Sequence, residues 1–192
     1  MGNRADLAAM LLKIVSVGDP VLRQKARPLK PEEIQSSHIQ DLIAYMRETM
    51  HDAPGVGLAA PQVGQPLQLA VIEDKTEYHK NLSAAELKER ERVPVPFHVV
   101  INPEIELLTP AETAFHEGCL SLPGFMAVVP RALAVRVTCL DEHGKSKTIK
   151  ASGWYARILQ HEIDHLHGRI YIDHMQSETF STLENYQKHK KH

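Results

Sequence analysis

Between residues 32 and 51 the apolar positions fall three and four apart, at Ile39, Leu42, Ile43, Met46 and Met50. That period predicts a helix burying one face, with Ser36 or Ser37 placed to cap its start and Pro54 to end it. The pattern then changes. Residues 67–73 and 97–102 are short apolar runs rich in β-branched side chains, the second closed by Pro103. Short strands are also predicted at 104–108 and 112–116. Residues 132–140 alternate between apolar and polar, and 145–150 follow after Asp141-Glu142-His143-Gly144, a run of turn formers. These two segments predict a β-hairpin. A second helix is predicted over 152–168, with Ser152 at its cap, Trp154, Ile158, Ile163 and Leu166 for apolar contacts, and Gly168 where it stops. Residues 169–175 predict one more short strand. Helix, strands, then helix points to an α+β fold: antiparallel β-strands packed around the late helix, with a long N-terminal helix before them.

The remaining segments are read as peripheral or connecting. Residues 1–30 form a short apolar lead-in and a loop broken by Pro20 and Pro28. Residues 74–94 are rich in charge and read as a surface insertion with a solvated helical turn at 84–92. The basic tail, 186–192, is expected to fray. At 192 residues the chain is long enough for one sizeable core, so a single domain is expected over 1–192, with 1–13 and 186–192 at its periphery.

Charge and cysteine content narrow the function. A net charge of −2 gives no electrostatic reason for nucleic acid or an anionic membrane as partner. No apolar run approaches the roughly 18 residues of a membrane span, and no signal-peptide pattern is present. Two cysteines, Cys119 and Cys139, are too few for a disulfide scaffold, so a reducing compartment is expected.

The chemistry concentrates in Gln160-His161-Glu162-Ile163-Asp164-His165. Residues four apart share a helix face, so His161 and His165 can aim two imidazoles at one metal ion. Glu162 sits one step round, within reach of a water on that ion. A catalytic site needs a third protein ligand, and two candidates compete. Glu184, 19 residues beyond His165, has a spacing reminiscent of zinc peptidases. Cys119 offers a thiolate, a strong ligand for a transition metal, beside the small Gly118. Cys139, in an alternating strand, reads as a buried hydrophobe. In the run from Gly55 to Gly64, three glycines mark a backbone that something approaches closely, or a tight turn.

Three segments resemble the signatures of the peptide deformylase family, and they occur in the family's order: Gly55-Val56-Gly57-Leu58-Ala59-Ala60-Pro61-Gln62, Glu117-Gly118-Cys119-Leu120-Ser121, and Gln160 to His165. The likeness covers most of residues 14–185. Gly124-Phe125-Met126-Ala127-Val128 and Ala151-Ser152-Gly153-Trp154 look most like the organellar branch and its bacterial relatives. The resemblance implies the family's fold, Cys119 as third ligand beside His161 and His165, and no metal role for Glu184. It implies a metal-dependent hydrolase that removes the formyl group from the N-terminal formylmethionine of nascent chains, releasing formate. Water on the metal attacks the formyl carbon, with Glu162 as general base and then acid. Gln62 and the Leu120 backbone N–H meet the charge on the oxygen. Val56, Gly57, Glu117, Trp154 and Ile158 would contact substrate, with Val56, Trp154 and Ile158 on the methionine pocket, and with fixing of the neighbouring loop as the alternative for Glu117. Arg157 is left between substrate and solvent, and Asp164 reads as structural. The implied ion is Fe2+, although a mixed N/S site also takes Zn2+, Ni2+ or Co2+. The implied partners are N-formylmethionyl peptides; the basic tail reads as a solvated terminus, with a transient ribosome contact as the alternative.

A bacterial cytoplasm is the expected location, with an organelle matrix as alternative. Two rivals share the helix. A metallopeptidase would use Glu184, and a metal-stabilised binding module would close the site with a fourth ligand, for which His116 is nearest.

Overall fold

The computed structural model describes residues 10–189. Helix α2 (Ser37–Asp52) follows a single helical turn, α1 (Pro31–Ile34), and Ser36 Oγ caps it by accepting the Ile39 N–H. Its buried stripe of Ile39, Leu42, Ile43, Met46 and Met50 packs on Leu58, Leu69, Val71, Val99 and Ile101. Each such side chain withdrawn from water stabilises the fold by about 1.5–3 kcal/mol, so Met46→Ala alone should cost about 2–5 kcal/mol.

The strands form two antiparallel sheets. The larger runs β1-β2-β3-β6-β7, built from β1 (Gly57–Ala59), β2 (Leu69–Asp74), β3 (Val95–Leu107), β6 (Ala134–Leu140) and β7 (Ser146–Ser152). The smaller runs β4-β5-β8, from β4 (Thr113–Cys119), β5 (Leu122–Arg131) and β8 (Ser181–Thr182). Helix α4 (Gly153–Leu166) packs against all five strands of the larger sheet. Two short helices complete the order: α3 (Ala84–Glu89) in the charged insertion and α5 (Leu183–His189) at the end.

Several expected elements differ. The strands predicted at 97–102 and 104–108 are one strand, β3. Its register shifts between Ile101 and Glu104, around Asn102 at φ 49°, so Pro103 sits in a bulge where no ladder N–H is needed. The Asn102 amide holds that bulge by bonding both the N–H and the carbonyl of Leu29. β5 is a strand that the sequence pattern does not predict. The strand expected at 169–175 is instead a 3-10 turn, Tyr171–Asp173, closed by Asp173 Oδ2 accepting the Ile170 N–H. The tail is helical as far as His189, and residues 190–192 lie outside the described residues, as do 1–9 of the lead-in. The hairpin turn is set by Asp141, whose Oδ1 accepts the N–H groups of His143 and Lys145.

Candidate active site

Helix α4 starts abruptly. Ser152 occupies the cap position, but its side chain makes no capping bond; the Trp154 N–H is met by the Arg90 carbonyl at 2.8 Å. From there the 3.6-residue period turns Ala156, Leu159 and Ile163 into the core, and carries His161, Glu162 and His165 to the junction with β1 and β4.

Cys119, at the end of β4, meets that junction. Its Sγ lies 3.3 Å from His165 Nε2, and the ligand atoms of Cys119, His161 and His165 all fall within 4.8 Å of one another. Among the described residues this is the one group of three metal-ligand types so arranged. Glu184, the competing third ligand, sits exposed on α5 outside it, and His116, the candidate fourth, is outside it too.

A cation fits this group on two grounds. The first is donor chemistry: a thiolate with two imidazoles suits a divalent transition metal. The second is electrostatic. Burial works against charge on His161, yet the neighbouring Cys119 and Glu117 raise its pKa well above the usual imidazole value, so positive charge is favoured there. Burial and the His161 charge push His165 the other way, keeping it neutral and able to donate a lone pair.

Glu117 organises the surroundings. Its carboxylate accepts from Arg131 Nε and Nη2, both at 3.0 Å, from Arg157 Nη1 at 2.6 Å and from His161 Nδ1 at 3.0 Å. With Nδ1–H committed, His161 has Nε2 left for a metal. Burial alone would raise the Glu117 pKa, but His161 and Arg131 hold it well below the usual carboxylate range. The sequence reading grouped Glu117 with substrate contacts; it lines the cavity, but both oxygens are engaged by these four bonds. For Arg157 the sequence leaves substrate and solvent open. Arg157 is 3% exposed and also donates to the carbonyls of Val129 and Thr113. Asp164 accepts from Arg131 Nη1, and so ties α4 to the same cluster. Arg131 was missed. The one signal for it is a cation at the end of the apolar run Met126 to Pro130.

Glu162 is 4% exposed, and its Oε2 has no hydrogen-bond partner among the described residues. Burial, reinforced by the Glu117 charge, pushes its carboxyl up to about 7 against the opposing charges of His161 and Arg131. A carboxyl poised there exchanges protons near neutrality. Gln62 is oriented by its Oε1 accepting the Ala59 N–H at 2.9 Å, which turns its Nε2 toward Cys119 Sγ (3.5 Å) and Ser121 Oγ (3.3 Å). The lead-in ties these parts together: the Val15 N–H donates to the Gln62 carbonyl and the Val17 N–H to that of Ser121, links the sequence reading did not anticipate.

These groups open on a cavity of about 610 Å³. Val56, Gly57, Gln62, Glu117, Cys119, Leu120, Trp154, Ile158, His161 and Glu162 line it, while His165 lies behind, fully buried. Of the predicted site residues, His165 alone is absent from that wall.

The polypeptide deformylase family model matches residues 11–181. The chain is similar to the chloroplastic peptide deformylase 1A of Solanum lycopersicum, 49% identical over 90% of this chain and 62% of that protein. It is also similar to the chloroplastic/mitochondrial peptide deformylase 1A of Arabidopsis thaliana, 48% identical over 91% of this chain and 65% of that one. The chain thus spans less than two thirds of the length of either plant relative. Among solved structures it resembles a class I type b peptide deformylase from Acinetobacter baumannii with Met-Ala-Ser bound. The TM-score is 0.76 and the identity 28%, over 87% of this chain and 99% of that one.

Proposed function

This chain belongs to the polypeptide deformylase family, and from that premise we propose that it removes the N-formyl group from formylmethionyl peptides, giving formate and a free amino terminus. One observation carries the reading: a sulfur and two imidazoles converge beside a buried carboxylate, one of whose oxygens has no partner among the described residues, on a cavity large enough for a peptide terminus.

Cys119, His161 and His165 would hold a divalent cation, which would supply Lewis acidity to acidify water and polarise a carbonyl. Glu162 then does the proton work. It takes a proton from the water whose oxygen bonds to the formyl carbon, and delivers it to the nitrogen as the C–N bond breaks. The Gln62 amide N–H and the Leu120 backbone N–H meet the charge gathering on the formyl oxygen; removing one such donor typically costs about 10²–10³ in kcat. The cavity wall supplies the binding. β1 is an edge strand of its sheet, and Val56 and Gly57 offer it to an extended peptide, as an added strand would pair. Trp154 and Ile158, one helical turn apart, face the first side chain.

The native ion of this reading is Fe2+, with Zn2+, Ni2+ or Co2+ also compatible with the ligand types. Residues 1–192 act as one catalytic domain, and nascent chains are the natural source of substrate, with a transient ribosome contact through the tail. No helix of the described residues is long and apolar enough to cross a membrane. A bacterial cytoplasm suits the reading, and an organelle matrix is the second location because both plant relatives carry organellar names.

The test is metal analysis of anaerobically purified protein, with formate release measured on the same sample from formyl-Met-Ala-Ser and from its unformylated counterpart. Formate from the first and no cleavage of the second is expected. Cleavage of internal peptide bonds, or no formate from metal-loaded protein, overturns the reading.

A further inference from the structure

The charged insertion returns to the cavity. It leaves the sheet at Asp74, whose side chain is fully buried, and is closed there by a bidentate pair: Arg92 Nε and Nη2 donate to the two Asp74 oxygens, each at 2.8 Å. His79 Nε2 lies 3.1 Å from the same carboxylate. The turn that follows α3 then presses on the start of α4. The Arg90 carbonyl accepts the Trp154 N–H, and a Cβ on Gly153 would sit 2.4 Å from Glu91 Cβ. Two guanidinium groups of the insertion, Arg90 and Arg92, lie 5.1 Å from the Trp154 ring centre, and Arg157 lies 5.9 Å away. Arg92 and Trp154 both line the cavity.

We propose that Arg92, held by Asp74, is a positioning residue for substrate specificity: it fixes the Trp154 indole as the wall against which the peptide's first side chain packs. The inference rests on the deformylase reading and extends it to a segment that reading leaves without a task. An indole is a flat wall only if its plane is held. A guanidinium stacked on it does that when the guanidinium itself cannot turn, and a buried two-point pair with a carboxylate supplies the restraint. Lysine offers only a point charge and cannot reproduce the bidentate geometry. With the wall fixed, the cavity favours a long unbranched side chain over a branched one of similar size. With it released, that preference relaxes.

Trp154 is the chain's single tryptophan, so its emission reports this wall with no second indole contributing. Two variants are compared with wild type: Arg92→Met, and Asp74→Asn with Arg92→Met, which leaves no buried carboxylate without its partner. Emission is followed during titration with Met-Ala-Ser. Formate release is measured from formyl-Met and formyl-Leu peptides with Fe2+-loaded enzyme. Both variants should shift the emission and weaken Met-Ala-Ser binding about tenfold. They should also raise KM for the formyl-Met peptide about tenfold with kcat nearly unchanged, and lower the Met-over-Leu ratio in kcat/KM. Arg92→Lys should fall between. Wild-type emission, Met-Ala-Ser affinity and Met-over-Leu ratio in both variants overturn the inference, as does an equal fall in kcat on both substrates. If wild type itself releases no formate from either peptide, the deformylase reading fails, and the emission titration still decides whether Arg92 sets this wall.

Discussion

Gly57 and Glu162 occupy space that admits no further carbon between them. A Cβ built on Gly57 would lie 2.1 Å from Glu162 Oε1 and 2.5 Å from its Cδ. The glycine is required by this close approach and not by its backbone angles, since Gly57 is absent from the positive-φ positions. A segment early in the chain therefore sets where the carboxylate of the late helix rests, and the first and third sequence motifs meet in one contact.

Gly57→Ala should therefore act on catalysis through Glu162. No real Cβ tolerates a neighbour at 2.1 Å, so the carboxylate must swing or β1 must retreat from α4. Displacing a catalytic group by about 1 Å can cost about 10²-fold, and kcat should fall by about that much while bound metal stays near one ion per chain. Steady-state kinetics with elemental analysis on one sample checks this. Unchanged kcat would show that the contact positions nothing.

The acid side of the pH profile should belong to Glu162. Its carboxyl titrates at about 7, raised by burial, and only the ionised form accepts a proton. The rate kcat/KM should rise with pH on the acid side, with an apparent pKa at or below about 7, because a bound cation adds positive charge that favours the carboxylate. Glu162→Gln should abolish the activity and leave metal bound. Stability carries the opposite sign. A raised carboxyl pKa means the fold prefers the protonated form, so metal-free wild type loses stability as pH climbs from 4.5 through about 7. The glutamine variant lacks that loss and should be the more stable at pH 8, by on the order of 3 kcal/mol, and no more stable at pH 4. Urea melts at the two pH values measure it.

What the sequence made legible follows physical range. α2 and α4 carry a period set by each helix's own burial, and the 141–144 turn is written in residues that bond their own backbone, so local pattern suffices. The meeting of Cys119, His161 and His165 was readable from residue type and spacing together with the family resemblance. β3 was split because Pro103 breaks ladders locally, whereas the bulge that tolerates it depends on Asn102 bonding Leu29, 73 residues away. Arg131, Arg92 and the Val15 and Val17 links stayed hidden for the same reason: each is defined by partners far off in sequence, and no periodicity marks them.

Cys119→Ser and Glu184→Ala form a pair with opposite expectations. Serine keeps the shape but offers a hydroxyl, a far poorer ligand for a transition metal than a thiolate, so metal should be lost on dialysis against a mild chelator. Glu184 is exposed on α5 and outside the ligand group, so its alanine variant should retain metal as wild type does. Loss of the ion from Glu184→Ala with retention in Cys119→Ser would transfer the third-ligand role.

Glu117→Gln should loosen both the metal and the fold. An amide keeps the volume of the carboxylate but brings no charge, and its N–H₂ faces the donors of Arg131, Arg157 and His161 where two acceptors are needed. Two consequences separate. His161 loses the acceptor that commits Nδ1–H and leaves Nε2 for the metal, and such supporting bonds are worth 10–100-fold in metal affinity, roughly what chelator competition should read. Arg131 keeps only Asp164 and Arg157 keeps only the carbonyls of Val129 and Thr113, and removing one partner of a buried pair costs about 3–5 kcal/mol, which a urea melt of the metal-free chain should show. The sign with pH follows from the depressed Glu117 carboxyl: its stabilisation is full above the ordinary carboxylate pKa and drains away as pH falls through the lower folded value. The gap between wild type and Glu117→Gln should therefore narrow in acid. If metal affinity stays at the wild-type level while stability falls, Glu117 serves the arginines alone, and His161 is oriented by α4 without it.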